Sequence, residues 1–507
     1  MPSRSADAAH QCGAIQLIPE ELVLGDGVLD RGFIGGVSLV DADGDGDLDI
    51  YATRGYNTGL STLQIDRSML YLNDGAGAFA RDEGSAISRA DEPASGSTWG
   101  DIDHDGDLDV FVSTQLGRPD AFYRNLGGGR FAREQLGDAT ATAGSNFTSA
   151  WADIDGDGDL DLISGGPTLE LPGPVQVYRN DGGRAVLVPD TLLSDGQSNA
   201  GAILWIDVDN DGDQDMFVAN SDIIRQNDLA PATFETSRIL RNDGGWSFTA
   251  LTGQGFDDPA YPMMNAAFGD IDNDGDFDLF AQMQPGGDLP EGRHRSMSDR
   301  IFRNDGAGHF SLDANFEGPE HTDVAGGAAF ADFDLDGDLD LIIANYSRGI
   351  RLYRNDGTGR FAEEPDPSLN NFVTGHAAVV TGDFDGDGAP DVAVGAWSDD
   401  GPHPITMLRN RTAVCSEAIR IRLYDQYGAP DPIGARVTLV TAGRNGERRQ
   451  LREAMGQTTI RGQSGDAFYF GVPPGEHVRY AEIRWPGGRV QRISRLRADQ
   501  LNTIRPE

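Results

Sequence analysis

The chain has 507 residues, 38% of them hydrophobic, and a formal charge of −42 in which every Lys or Arg is an arginine. That length suffices for a large core plus a second domain. The charge excludes a nucleic-acid partner, since phosphate binding needs clustered positive charge, and no apolar run is long enough to span a bilayer as a helix.

The N-terminal "MPSRSADAAHQC" lacks the apolar stretch of a signal peptide. The expected location is therefore cytoplasmic if this terminus is native, and secreted or periplasmic if a leader has been removed. An apolar stretch follows, "AIQLIPEEL" (14–22). Then comes the first of seven acidic loops, "DADGDGDLD" (41–49), repeated as "DIDHDGDLD" (101–109), "DIDGDGDLD" (153–161), "DVDNDGDQD" (207–215), "DIDNDGDFD" (270–278), "DFDLDGDLD" (332–340) and "DFDGDGAPD" (383–391). Their first aspartates lie 60, 52, 54, 63, 62 and 51 residues apart. A period of this length marks an array of similar supersecondary units.

So much like charge in one tight loop is explained by a bound cation. Oxygens at alternate positions can wrap a hard ion, as in other calcium loops. The expected side-chain ligands fall at four positions of each loop. They are position 1 (Asp41, Asp101, Asp153, Asp207, Asp270, Asp332, Asp383), position 3 (Asp43, Asp103, Asp155, Asp209, Asp272, Asp334, Asp385), position 5 (Asp45, Asp105, Asp157, Asp211, Asp274, Asp336, Asp387) and position 9 (Asp49, Asp109, Asp161, Asp215, Asp278, Asp340, Asp391). Position 7 offers a main-chain carbonyl, from Asp47, Asp107, Asp159, Asp213, Asp276, Asp338 and Ala389, so the alanine in the last loop does not abolish the site. Position 6 is always glycine, as a sharp reversal requires. Magnesium keeps more waters and takes fewer protein ligands, so about seven Ca²⁺ are expected.

Each unit reads as four short strands: one into the acidic loop, one out of it, one ending in a turn such as "RNDG" (354–357), and one starting at a segment such as "GRFAEE" (359–364). Seven such units predict an all-β protein, a seven-bladed β-propeller. Two residues before the loops stand Leu39, Trp99, Trp151, Trp205, Phe268, Phe330 and Thr381, read as packing between blades. The seventh unit lacks a fourth strand after "LRNR" (408–411), and 14–22 is expected to supply it. That would bring Cys12 and Cys415 to one blade corner, where a disulfide would latch the ring in an oxidising compartment.

Residues 411–507 hold 16 arginines against 10 acidic residues, net +6, which leaves −48 for 1–410. The shift divides the chain into an N-terminal tail (1–13), the propeller (14–410) and a small β-domain (411–507). The acidic loops with flanking "AAFADFD" and "YRNDGTGRF" resemble FG-GAP/VCBS repeats, as in integrin α-subunit propellers. "IGARVTLVTAGRNGERRQLREAMG" (433–456), "FYFGVP" (468–473), "AEIRWPGGRVQRI" (481–493) and "QLNTIRP" (500–506) resemble the ASPIC/UnbV domain, although "TTIRGQSGDAFYFGVPPG" (458–475) follows that pattern only loosely. Together the parts resemble the cartilage-acidic-protein-1-like family. The resemblance implies calcium in loops on one rim.

Units one, four and five carry insertions between their second and third strands, at 54–68, 221–237 and 285–299, on the face opposite the calcium loops. Insertions gathered on one face of a repeat array often build its binding surface. Arg54, Tyr56, Arg225, Arg293, His294, Arg295, His321, Asp323, Tyr346, Arg348, His376 and Trp397 belong to this face. Two functions from different classes are expected there. One is a monomeric, extracytoplasmic module binding a protein, glycan or small-molecule ligand. The other is a calcium-dependent enzyme of specialised biosynthesis or glycan modification, with His321, His376, Arg293 and His294 as candidate catalytic residues. No nucleophile, phosphate-loop or zinc motif is present in the sequence.

Overall fold

The strands on either side of an acidic loop are buried along their whole length because both of their faces are covered. Ile34–Val40 and Asp49–Arg54, around the first loop, are buried at every residue. The computed structural model describes residues 14–507 apart from 23–30, 33, 58–63, 66, 142–145, 167–173, 190–191, 195–199, 222–235, 259–260, 285–296, 322–324, 346–348, 370–377, 396, 399–400, 414–415, 445, 460 and 466. Among the described residues there is no α-helix, only two short 3-10 turns, at Gly137–Thr140 and Leu192–Ser194.

Among the described residues, seven antiparallel four-stranded sheets are spread over residues 17–410, with three smaller two- or three-stranded sheets beside them. The first strands of the seven are Ile34–Val40, Ala94–Gly100, Thr148–Ala152, Ala200–Ile206, Met263–Gly269, Ala325–Ala331 and Ala378–Gly382. Each first strand lies against the next, and the last lies against the first. The outcome is a closed, propeller-like ring with its first strands around a central channel. The seventh sheet takes its outer strand from the N-terminal Leu17–Glu21, antiparallel to Thr406–Asn410 with Leu17 opposite Asn410.

The aromatic residues ahead of the loops pack between neighbouring sheets. Trp99 meets Tyr51 and Phe131 edge-on, with centroids 5.5 and 5.8 Å away, and Trp151 and Trp205 meet Phe111 and Phe248 in the same manner. Such edge-to-face pairs add to the burial of the rings themselves. Thr381 brings no aromatic ring to this position; its N–H donates to Ser464 Oγ at 3.0 Å, as the Leu39 and Trp99 N–H groups donate to Gln463.

The C-terminal residues form two sheets over one core. Glu417–Leu423 sits between Phe468–Val472 and, in parallel, Leu501–Ile504; Arg436–Gly443 sits between Gly446–Glu453 and His477–Arg484, with Val490–Ile493 outermost. Ile419, Ile421, Leu439, Phe470 and Trp485 fill the space between them.

Candidate functional site

The acidic loops share one hydrogen-bond plan, set by where glycine and aspartate fall. The glycine at position 6 has φ between 95° (Gly337) and 110° (Gly212), a conformation in which a side chain is strained. It turns the main chain so that its N–H donates to the position-1 carboxylate: Gly46 to Asp41 and Gly212 to Asp207, both at 3.0 Å. Position 4 is left-handed as well, at Gly44, His104, Gly156, Asn210, Asn273, Leu335 and Gly386. The position-9 carboxylate closes the loop. Asp49 accepts from Ala42 N at 3.0 Å and from Asn73 N, on the third strand, at 2.9 Å.

That third-strand asparagine also joins the loops to one another. Asn73, Asn125, Asn180, Asn242, Asn304, Asn355 and Asn410 each donate from Nδ2 to a carbonyl in the acidic loop of the preceding sheet: Phe384, Ala42, Ile102, Ile154, Val208, Ile271 and Phe333. The chain of contacts passes through every sheet and closes from the seventh to the first. Sequence reasoning assigned Asn180, Asn242, Asn304 and Asn355 to hairpin turns and foresaw no contact between loops for any of the seven. The signal that could have found them is their fixed place after the third strand in units with and without a following Asp-Gly.

Without a cation the loops are electrostatically costly. Burial pushes the position-1 carboxyls of Asp41, Asp101 and Asp153 up to about 6, and those of Asp207 and Asp270 to about 7. Burial pushes the position-9 carboxyls of Asp49, Asp109, Asp161, Asp215, Asp278 and Asp391 up to about 8. Oxygens of Asp207, Asp270, Asp272 and Asp332 are buried with no hydrogen-bond donor. Three carboxylates gather with ligand atoms within 4.8 Å of one another in loops one, two, three and four: Asp41, Asp43 and Asp45; Asp101, Asp103 and Asp105; Asp153, Asp155 and Asp161; Asp207, Asp209 and Asp215. Oxygens on opposite sides of a Ca²⁺, bound at about 2.3–2.6 Å, are about 5 Å apart, so this donor set fits the ion. Arginines share the position-3 carboxylates. Arg303 reaches Asp272 and Arg409 reaches Asp385, each at 3.0 Å, while Arg124 and Arg354 pair with Asp103 and Asp334.

The C-terminal domain packs on the rim that carries these loops. Arg422 donates to the Gly46 carbonyl, Arg448 pairs with Asp338, and Arg420 approaches Asp383 at 3.4 Å. Gly471 N donates to Asp332 at 2.9 Å, and Tyr427 stacks on His104 with centroids 4.2 Å apart. Arg436 is buried in this interface. It donates to Glu453 at 3.0 Å, to Asn210 Oδ1 at 2.6 Å and to the Asp207 carbonyl at 2.7 Å.

From this domain a hairpin enters the central channel. Thr98 Oγ1 donates to the Gly456 carbonyl at 2.7 Å, and Thr148 Oγ1 to Gln457 Oε1 at 2.8 Å. Gln463 makes two bonds to the main chain of Trp99, and Ser464 bridges to Leu39. Beside the hairpin remains a cavity of about 160 Å³, lined by Phe268, Phe330, Leu339, Met455, Arg452 and Asp332 among others. Sequence reasoning missed both the docking and the hairpin.

The residues expected on the opposite face are brought into view only in part. Arg54 is a core residue, donating to Tyr71 Oη at 3.0 Å, so it is unavailable to a ligand. The His321 main chain pairs with Met297, but its side chain, with Arg293, His294 and His376, lies outside the described residues, as do Cys12 and Cys415. Asn345 and Asn410, each followed two residues on by the Ser or Thr of a glycosylation sequon, are fully buried and unavailable for glycosylation.

An FG-GAP-like repeat model matches residues 41–112, 292–343 and 332–394, and an ASPIC and UnbV model matches 427–507. Human cartilage acidic protein 1 is 25% identical over 505 residues, covering 92% of this chain and 71% of that protein. The mouse protein of the same name is 25% identical over 298 residues, covering 56% of this chain and 42% of that one. Among solved structures, a Burkholderia pseudomallei lectin superposes with a TM-score of 0.45 at 14% identity, over 75% of this chain and 99% of that one. An Agrocybe aegerita lectin described as recognising non-reducing terminal N-acetylglucosamine gives 0.42 at 16% identity, over 78% of this chain and 94% of that one.

Proposed function

The chain carries FG-GAP-like repeats followed by an ASPIC and UnbV domain and is homologous to cartilage acidic protein 1 over most of its length; on that basis we propose that it is a calcium-binding, monomeric interaction module working outside the cytoplasm. The observation that carries the calcium assignment is the set of buried carboxylate oxygens without donors in Asp207, Asp270, Asp272 and Asp332. A buried oxyanion is stable only when paired or bound to a metal. Ions in the loops supply that compensation and stiffen the rim against which the C-terminal domain rests. Metal analysis of protein dialysed against calcium should find about seven ions per chain, and an Asp153→Asn/Asp157→Asn double variant should lose one. Fewer than three ions in the wild type, or equal retention of magnesium, would refute the assignment.

Ligand contact falls on the face away from the acidic loops, because the C-terminal domain occupies the acidic rim. The partner there is a protein, glycan or small molecule. Location outside the cytoplasm is supported by the ends of the ring. Arg411 N donates to the Gln16 carbonyl at 2.8 Å and Gln16 N to Thr412 Oγ1 at 3.0 Å, so the segments leading to Cys12 and Cys415 leave the same strand pair. A Cys12–Cys415 disulfide there locks the ring. Peptide mapping without reductant should recover the two peptides joined; two free thiols in protein purified under oxidising conditions would remove this support.

A further inference from the structure

The hairpin in the channel ends in a charged tip. Thr459 and Gly462 exchange main-chain hydrogen bonds, which leaves Arg461 in the turn at φ 57°, a left-handed conformation uncommon outside glycine and asparagine. Its neighbours place it at the far end of the channel. The Arg461 main chain and Cβ abut Gly36, at the start of a first strand, and Gly96. The acidic loop begins only after Val40, roughly 15 Å further along that strand at about 3.3 Å per residue.

Arg461 is 7% exposed. Its guanidinium lies over the Phe147 ring, with Cζ 3.7 Å from the centroid, and Nη1 donates to the Gly35 carbonyl at 3.1 Å. Nε is buried without an acceptor, and Thr459 Oγ1 and Gln457 Nε2 on the same hairpin also lack partners. No carboxylate among the described residues pairs with Arg461, although the chain has 82 acidic residues and Arg420, Arg436 and Arg448 of the same domain each find one. Burial alone pushes its ionisation down to about 9. A buried cation with no counter-charge is unfavourable, and strained, uncompensated groups cluster where a ligand supplies the missing partner.

We propose that Arg461 is the anchor of a small-molecule site in the channel and binds the carboxylate of an organic acid. A carboxylate matches the planar guanidinium fork and its single charge. A phosphate dianion would leave surplus negative charge in a site whose other unpartnered groups, Thr459 and Gln457, are neutral. Around the tip stand the Phe147 ring and the main chain of Gly35, Gly36 and Gly96, none of which offers the guanidinium a counter-charge. The inference rests on the reading that ligands approach away from the acidic rim, and names the ligand class for that face.

The test uses the full-length, calcium-loaded protein and 4-iodobenzoate, with inorganic phosphate as the competing class. Calorimetry should show saturable 1:1 binding of 4-iodobenzoate and none of phosphate, and the iodine signal in soaked crystals should place the carboxylate on Arg461. Arg461→Gln should weaken binding at least about tenfold while calcium content is unchanged. If that variant does not fold, Arg461→Lys, which keeps the charge but not the fork, makes the same comparison and should also weaken binding. Equal affinity in the folded variant, phosphate binding in place of carboxylate, no saturable binding, or an iodine site elsewhere each overturns the inference. An iodine site elsewhere on the same face leaves the broader reading standing, whereas loss of the calcium assignment leaves the Arg461 result untouched.

Discussion

Asn180 shows how much one side chain carries in this ring. Its N–H donates to Asp161, its Nδ2 to the Ile102 carbonyl of the preceding loop, and its Oδ1 accepts from Gly183 N at 2.7 Å. Alanine leaves the Ile102 carbonyl and the Gly183 N–H without these partners. Asn180→Ala should therefore cost about 2–4 kcal/mol in chemical denaturation, with calcium stoichiometry preserved; a loss under 0.5 kcal/mol, within the ordinary range for a surface change, would show that the latch is dispensable. The aspartates set the pH response. Their folded-state ionisation, near 6 at Asp41 and near 8 at Asp49, lies above the ordinary value of 3.8. In that window the folded ring holds protons that the unfolded chain has released, so stability falls as pH rises. Calcium-free protein should melt progressively lower between pH 5 and pH 8, and calcium should flatten the slope. A calcium-free melting temperature that rises over this range would contradict the burial argument.

Among the elements, the docked C-terminal domain is tied to loop four through Arg436. It is buried, donates to Glu453 and to loop four, and stacks on Phe277 at 4.9 Å. Arg436→Gln removes the charge opposite a buried Glu453, and breaking a buried pair on one side costs about 3–5 kcal/mol. The expected result is a matching fall in stability by urea denaturation, and a domain more easily cut away by protease. An unchanged midpoint would mean that the remaining links, such as those of Arg422, Arg448 and Gly471, suffice to hold the domain. The docking was not legible in the sequence because its parts are scattered. Nothing in the sequence sets Arg420, Arg422, Arg436 and Arg448 apart from the other arginines of 411–507, and the +6 against −48 asymmetry was read only as a domain boundary. The hairpin at 458–465 was less legible still, since its polar, glycine-rich composition is that of any exposed loop.

At the scale of the whole molecule, the repeat made the ring legible. Spacing, invariant glycine and alternating aspartate specify a local plan that needs no distant information, and the missing seventh outer strand pointed to 14–22, where Leu17–Glu21 now pairs. What the sequence concealed was long-range. The asparagine contacts join residues as far apart as Asn73 and Phe384, and Arg461 reaches Gly35 across most of the chain. The central claim is that ions in the acidic loops hold this ring together. Its most direct measurement is a thermal melt of the full chain in excess calcium and after complete removal by a chelator. Each site at a hundredfold excess over its Kd adds about 2.7 kcal/mol, so removal should lower Tm by roughly 15 °C or more, reversibly on adding calcium. An unchanged Tm after verified calcium removal would contradict the account.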